Sequence, residues 1–280
     1  MKTAIIGTGL IGGSLALSMR NRGLGGEIWG VDASAEHIQT AIDREIIDRG
    51  ATMDEAVAGC DLIIIATPVD TVPALAVKLL NKVGDKQVVM DVGSVKGELC
   101  EMISQHPRRG RFVASHPMWG TEHSGPAAAV DTGFIGRVAV ICEPERSEPD
   151  ALKMVEELYT AIGMKVRHMS AEEHDIHTAY ISHVSHISSF ALALTVLEKE
   201  LEEDTIFDLA AGGFDSTVRL AKSSPRMWLP IFMQNKYNVL DVLRELIHQL
   251  HVMQRMIERD DTAGLQAAME KANSIKRILK

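Results

Sequence analysis

Two hydrophobic rhythms alternate along the first 170 residues. Thr3-Ala4-Ile5-Ile6 is a short apolar run that ends in glycines, and residues 10–20 then carry the spacing of a helix. Residues 27–32 form a second short run with an acid, Asp32, at its end, and strand-like runs follow at 62–66, 87–90, 111–115, 138–142 and 165–168. Helix-like segments at 35–44, 71–82 and 96–105 separate most of them. Short apolar strands alternating with amphipathic helices predict βαβ units and a mainly parallel sheet. The expectation is an α/β, Rossmann-type doubly wound domain over residues 1–169.

Beyond residue 170 the strand signal stops. Residues 171–203 and 227–260 have few breakers, and Leu240, Leu243, Ile247, Leu250 and Ile257 recur at helical steps on one face. Residues 263–279 form a last helix. The expectation is an all-α C-terminal domain over 170–280, whose apolar stripes need a second surface to cover them. A homodimer supplies one.

Composition narrows the function. A chain of 280 residues with 46% hydrophobic and 24% charged side chains is globular and long enough for two domains. The net charge of -9 is spread without a basic block, so nucleic acid and anionic membrane are not expected partners. A small anionic substrate is compatible with it, because a few local cations outweigh distant charge through screening. Cys60, Cys100 and Cys142 are odd in number and form no CxxC, which points to a reduced, cytoplasmic protein. The first residues do not form a signal peptide, and no stretch is expected to span a bilayer.

The most specific motif is Gly7-Thr8-Gly9-Leu10-Ile11-Gly12, a GxGxxG that follows a strand and opens a helix. Gly7 allows the tight turn, Gly9 lets the backbone approach a pyrophosphate, and Gly12 lets helix and strand pack closely. The helix N-terminus adds partial positive charge. Asp32, twenty residues after Gly12, is placed to accept from the adenosine ribose hydroxyls and to repel a 2′-phosphate, which predicts NAD over NADP. Thr67 and Pro68, just past the run at 62–66, are assigned to the same cofactor.

Four further segments hold more polar and glycine residues than packing requires. Asp91-Val92-Gly93-Ser94-Val95-Lys96 follows a strand, and Ser94 is also a candidate N-cap for the next helix. The loop His116-Pro117-Met118-Trp119-Gly120-Thr121-Glu122-His123-Ser124-Gly125 puts a histidine at a strand end, where proton transfer beside a nicotinamide would need it. His174-Asp175 leads into Ser182-His183-Val184-Ser185-His186; HxxH lacks the spacing of HExxH, so these side chains line a substrate cavity with no metal expected. Gly212-Gly213-Phe214 precedes Arg219 and Trp228, and the Arg219 fork suits a carboxylate.

In their order, GTGLIGGSLA, DVGSVKG, HPMWGTEHSG, HD with SHVSH, and GGFDSTVRLAKSSPRMW resemble the prephenate/arogenate dehydrogenase family of tyrosine biosynthesis over residues 7–228. The resemblance implies oxidation of a ring alcohol with loss of the ring carboxylate as carbon dioxide. It implies that His116 is the base and that Ser94 bonds the same hydroxyl or orients His116. It further implies that Arg219 clamps a substrate carboxylate, with His186, His183, Trp228, Glu122 and Thr121 around the substrate. Two departures stand out. The family's acid after GGF and the Thr before Arg are replaced by Ser216 and Val218, with Asp215 and Thr217 one place earlier, and Trp119 replaces a smaller or different apolar residue. The rival expectations are another two-domain β-hydroxyacid or imine reductase, which would rely on a helical-domain Lys, and a dinucleotide sensor without turnover.

Overall fold

The computed structural model describes residues 1–24, 26–203 and 205–278; Leu279, expected to end the last helix, lies outside them. Residues 1–236 form one compact unit and residues 237–280 a second. The first unit is built on eight strands: β1 (Thr3–Ile6), β2 (Ile28–Val31), β3 (Arg49–Gly50), β4 (Leu62–Ile65), β5 (Val88–Asp91), β6 (Phe112–Pro117), β7 (Val138–Cys142) and β8 (Lys165–Met169). They lie in the order β3-β2-β1-β4-β5-β6-β7-β8. Every neighbouring pair is parallel except β6 with β7. All seven expected strands are present, and β3, two residues long, is additional.

Leu62 and Ile64 point into one apolar cluster, with Ile5, Leu15 and Met90, while Ile63 and Ile65 point into another, with Ala4, Leu79 and Phe112. Both faces of β4 are therefore covered, which is why its sequence is unbroken Leu-Ile-Ile-Ile and not alternating. Helices α1 (Leu10–Asn21), α2 (Ala35–Asp43), α3 (Met53–Gly59), α4 (Val72–Leu80), α5 (Gly97–Ile103) and α6 (Pro149–Ala161) supply that cover. The sequence pattern did not predict α3 or α6. Both are short-range effects: Thr52 and Glu55 form a capping box before α3, and Pro149 opens α6. The strand order reverses between β1 and β4, so the crevice beyond their carboxyl ends is where a doubly wound sheet binds its ligand.

Helices α7 (Ala171–Thr178), α8 (Val184–Glu200), α9 (Gly212–Val218) and α10 (Pro225–Gln234) complete the first unit. Ser170 and Glu173 form the capping box that starts α7. One π-helical turn, Ala179–His183, joins α7 to α8 without a break. The continuous run Ala171–Glu200 reaches a mean hydropathy of 1.3, long and apolar enough by length and composition to cross a bilayer. This corrects the expectation that no stretch would qualify. Dispersed Ser and His residues masked the run in the sequence; little of its apolar window is buried in the single chain, and Ser182, His183 and His186 line the cavity described below.

The second unit consists of nearly all of α11 (Lys236–Glu258) and of α12 (Thr262–Asn273), which the Asp261 carboxylate caps through Gly264 N–H. Of the expected stripe on α11, Ile247, Leu250 and Ile257 stay exposed in the single chain. An apolar row of this kind calls for a second polypeptide surface.

Candidate active site

The glycine loop joins β1 to α1. Gly7 has φ +95°, and a Cβ there would sit 2.5 Å from the Ala66 carbonyl oxygen, so only glycine fits. A Cβ at Gly12 would lie 2.1 Å from the Gly7 carbonyl, which sets how closely α1 meets the turn. Gly9 differs: among the described residues nothing lies within 4 Å of its absent Cβ. No side chain caps α1 there, so its first N–H groups face open space. These features fit a pyrophosphate. Asp32, just past β2, accepts Thr8 N–H at 2.9 Å, Thr8 Oγ1 at 3.0 Å and Ser34 N–H at 2.9 Å. Burial raises its pKa, but these donors outweigh burial and hold it below the usual carboxylate value.

One cavity of about 770 Å³ opens from this loop. Gly9, Leu10, Ile11, Thr67, Pro68, Ser94, His116, Thr121, Glu122, His183, His186, Arg219 and Trp228 all line it. The other predicted residues, Gly7, Thr8, Gly12 and Asp32, shape the loop and the β2 end without lining it. Trp119, without an assigned role in the sequence, packs edge-on against Phe134 at 5.1 Å. A Cβ on Gly133 would lie 2.3 Å from the indole, so Gly133 makes the space that Trp119 fills.

His116 lies near the end of β6. Its Nδ1 is 2.9 Å from His174 Nε2, and His174 Nδ1 is 2.8 Å from Asp175 Oδ1. Since the carboxylate only accepts, a neutral His174 donates through Nδ1 and accepts through Nε2; His116 therefore carries its hydrogen on Nδ1 and leaves Nε2 bare. Desolvation, reinforced by electrostatic interaction with His174, Lys96 and His183, drives the His116 pKa well below the ordinary imidazole value. Desolvation also lowers His174, against the pull of Asp175. The base is thus neutral and its free nitrogen fixed.

Asp175 does a second job. Its Oδ1 and Oδ2 accept Lys96 N–H at 2.9 Å and Gly97 N–H at 2.8 Å, capping α5 from another element. Ser94 is therefore not the N-cap of that helix. Below the site, the fully buried Lys96 ammonium pairs with the fully buried Asp91, which also accepts Gly93 N–H at 2.8 Å and Ser115 N–H at 3.1 Å.

The far wall comes from the α7–α8 run. His186 stacks on Trp228, ring centroids 3.5 Å apart, and His183 meets Trp228 edge-on at 5.9 Å. Desolvation lowers both imidazoles, His183 to about 4. Arg219, half-exposed after α9, lies 3.1 Å from Glu122 Oε2. Asp215 instead pairs with Lys222 at 2.7 Å. The acid partner of Arg219 thus comes from the loop after β6, and the rearranged GGF segment does not supply it.

His174 and Asp175 belong to a segment expected from the sequence to line a substrate cavity, whereas neither lines it; Lys96 was named without a role, and Asn235 was missed. The pairing of His174 with His116 spans 58 residues, and only a histidine next to an acid hinted at it. Asn235 carried no signal at all.

A bare imidazole nitrogen facing the cavity onto which a dinucleotide loop opens defines a nicotinamide-dinucleotide dehydrogenase. Two family models match the chain, "Prephenate dehydrogenase, nucleotide-binding domain" over residues 15–168 and "Prephenate dehydrogenase, dimerization domain" over residues 170–271. The chain belongs to the prephenate dehydrogenase family. It is 33% identical to prephenate dehydrogenase of Bacillus subtilis (95% of this chain, 73% of that one) and 28% identical to cyclohexadienyl dehydrogenase of Zymomonas mobilis (99% and 95%). Among solved structures, prephenate dehydrogenase from A. aeolicus in complex with hydroxyphenyl propionate and NAD+ superimposes with a TM-score of 0.89 at 32% identity, covering 99% of this chain and 97% of that one.

Proposed function

We propose that this chain catalyses oxidative decarboxylation of prephenate or arogenate with NAD, giving 4-hydroxyphenylpyruvate or tyrosine. The observation that carries this reading is the His116 Nε2 lone pair, fixed by His174 and Asp175, on the cavity shared with the glycine loop. Gly7, Thr8, Gly9, Leu10, Ile11, Gly12, Asp32, Thr67 and Pro68 hold the cofactor. When bound, NAD supplies the hydride acceptor.

The protein's own part is proton transfer, orientation and anion binding. His116 Nε2 takes the proton of the ring hydroxyl as the carbinol C–H leaves as hydride. The bond from the ring to its carboxylate then breaks, carbon dioxide departs, the electron pair enters the ring, which becomes aromatic, and the ring oxygen takes the proton back from His116. Ser94 bonds the same hydroxyl. The imidazolium formed on His116 is stabilised by donation through Nδ1 to His174 and on to Asp175. Arg219 binds a substrate carboxylate beside Glu122 and Thr121, while the His186–Trp228 stack encloses the ring and His183 lines the same pocket.

The 1–169 cofactor domain and the 170–280 helical domain form the two functional halves, supported by the family models, which meet at residues 168 and 170. The dimerization-domain match and the exposed α11 stripe support a homodimer. Three buried free thiols suit the cytoplasm, a reducing compartment. The test is NADH formation with purified protein and each substrate, using NAD and NADP, with carbon dioxide measured in parallel. Turnover with NAD is expected; no turnover with either substrate would overturn the reading.

A further inference from the structure

The side-chain amide of Asn235, the residue that ends α10, is buried. Its Nδ2 lies 2.7 Å from the Asp175 carbonyl oxygen and 3.2 Å from His183 Nδ1. A carbonyl oxygen only accepts, so the first bond fixes which end of the amide is the donor. The second bond then makes His183 Nδ1 an acceptor. A neutral imidazole that accepts at Nδ1 carries its hydrogen on Nε2. Among the described residues that nitrogen has no hydrogen-bond partner, and the ring lines the cavity. His183 therefore offers the substrate a fixed N–H donor.

Three residues on, His186 is set the opposite way. Its Nδ1 lies 3.0 Å from the Ser182 carbonyl and must donate, so in the neutral ring Nε2 is an acceptor. The π turn at Ala179–His183 ends at the first of these rings. Two histidines that look interchangeable in the sequence thus present opposite hydrogen-bond polarity, and Asn235 is the residue that sets His183.

We infer that His183, locked as a donor by Asn235, is the specificity-determining residue that selects a substrate with an oxo side chain over its amino counterpart; this rests on the function proposed above. Both candidate substrates carry carboxylates and the same ring alcohol. They differ at one group: the oxo oxygen of prephenate only accepts, whereas the ammonium of arogenate only donates. A buried N–H bonds the first and confronts the second with like polarity, leaving two desolvated donors unpaired. A site built around one hydrogen bond rejects the analogue that cannot make it far more strongly than a methylene-sized gap would. The neutral state of His183 agrees, since burial lowers its pKa to about 4.

The experiment measures kcat/KM for prephenate and arogenate with wild type, His183→Met and His183→Gln, together with the ¹⁵N spectrum of the histidine side chains. Wild type should prefer prephenate. His183→Met should lose about 10- to 100-fold on prephenate, the size of one or two hydrogen-bonding contributions, while arogenate gains or falls far less, because the donor that opposes its ammonium is gone. Gln, whose amide can place a donor where Nε2 was, should recover most of the difference. The spectrum should show His183 protonated on Nε2, a readout that holds even if His183→Met fails to fold. An equal fall for both substrates, a wild-type preference for arogenate, or a proton on Nδ1 would overturn the inference. Wild type inactive on both substrates would sink the proposed function itself, a result distinct from the other three.

Discussion

His116 and His174 meet edge to face at 71°, with Nδ1 of the first 2.9 Å from Nε2 of the second. Because Asp175 holds the far side of His174, this contact decides which nitrogen of His116 is free to act. His174 does not itself line the cavity and acts through His116, so its role is that of a positioning residue.

Replacing it tests that role. His174→Ala should lower kcat by about 10- to 100-fold, within the range for general-base assistance, with little change in KM. Added imidazole, which fits the space left by the ring, should restore part of the rate. A purely structural residue would disturb KM and stability together and would not respond to imidazole.

The pH profile follows from the depressed pKa of His116. The active form is the neutral base, so kcat/KM rises with pH through the pKa of the free enzyme and is flat above it. Because desolvation drives that pKa well below 6.5, the acid limb should lie below the ordinary histidine range, with no inflection near 6.5. An inflection at the ordinary imidazole value would show that His116 is solvated or is not the base.

Arg219 and Glu122 give a paired expectation. Arg219→Ala removes a bidentate donor and should raise KM for the substrate by about 10- to 100-fold, as loss of one charged hydrogen-bond set does. Glu122→Gln releases the guanidinium from its 3.1 Å ion pair and should lower KM slightly or leave it unchanged, because a half-exposed pair contributes little. If Glu122→Gln raised KM as much as Arg219→Ala, Glu122 would be contacting substrate directly.

The fold was largely legible because most strands are short apolar runs and most connections helical; β3, only Arg49-Gly50, breaks the first rule, and the loop from β6 to β7 breaks the second. GxGxxG with Asp32 also carried its own context, since all its parts lie within one βαβ unit. His116, Arg219 and the His183/His186 pair could be picked out from residue type beside a strand end or a glycine turn. What lay beyond reach was the direction of hydrogen bonds. Nothing in the order of residues shows that His183 and His186 are opposite tautomers, because Asn235 lies 52 residues from the first and Ser182 one turn from the second. Likewise Asp175 caps α5 from 78 residues away, so Ser94 was the natural local candidate. Long-range capping replaced a short-range rule.

Acid should destabilise the fold in a defined window. The pKa of His183 is about 4 in the folded chain against an ordinary 6.5. Between those values the unfolded chain binds the proton and the folded chain does not, so stability falls as pH drops from about 6.5 toward 4 and levels off below. His183 alone accounts for on the order of 3 kcal/mol across that window, and His116 and His174 act in the same direction. Urea unfolding at about pH 7, 5.5 and 4.5, which span the window, should show the midpoint decreasing, and His183→Gln should flatten the slope. A slope unchanged in that variant would mean that His183 remains protonatable in the folded state.

Lys96 and Asp91 link stability to catalysis. Both side chains are fully buried, and Asp91 also takes two backbone N–H donors, so the carboxylate is anchored whether or not the ammonium is present. Lys96→Met therefore leaves a buried negative charge with donors but no counter-ion, a loss of about 3–5 kcal/mol for a broken buried pair. Asp91→Leu alone strands the ammonium and should cost a similar amount. The double variant removes both charges, so its cost should fall well below the sum of the two, because a desolvated pair is worth far less than either orphan. Urea midpoints of the four proteins measure this directly, and simple additivity would show that the two charges do not interact. The same ammonium helps to lower the His116 pKa. Lys96→Met, where it folds, should accordingly move the acid limb of kcat/KM upward toward the ordinary imidazole value, so that one substitution weakens the fold and shifts the base in a predictable direction.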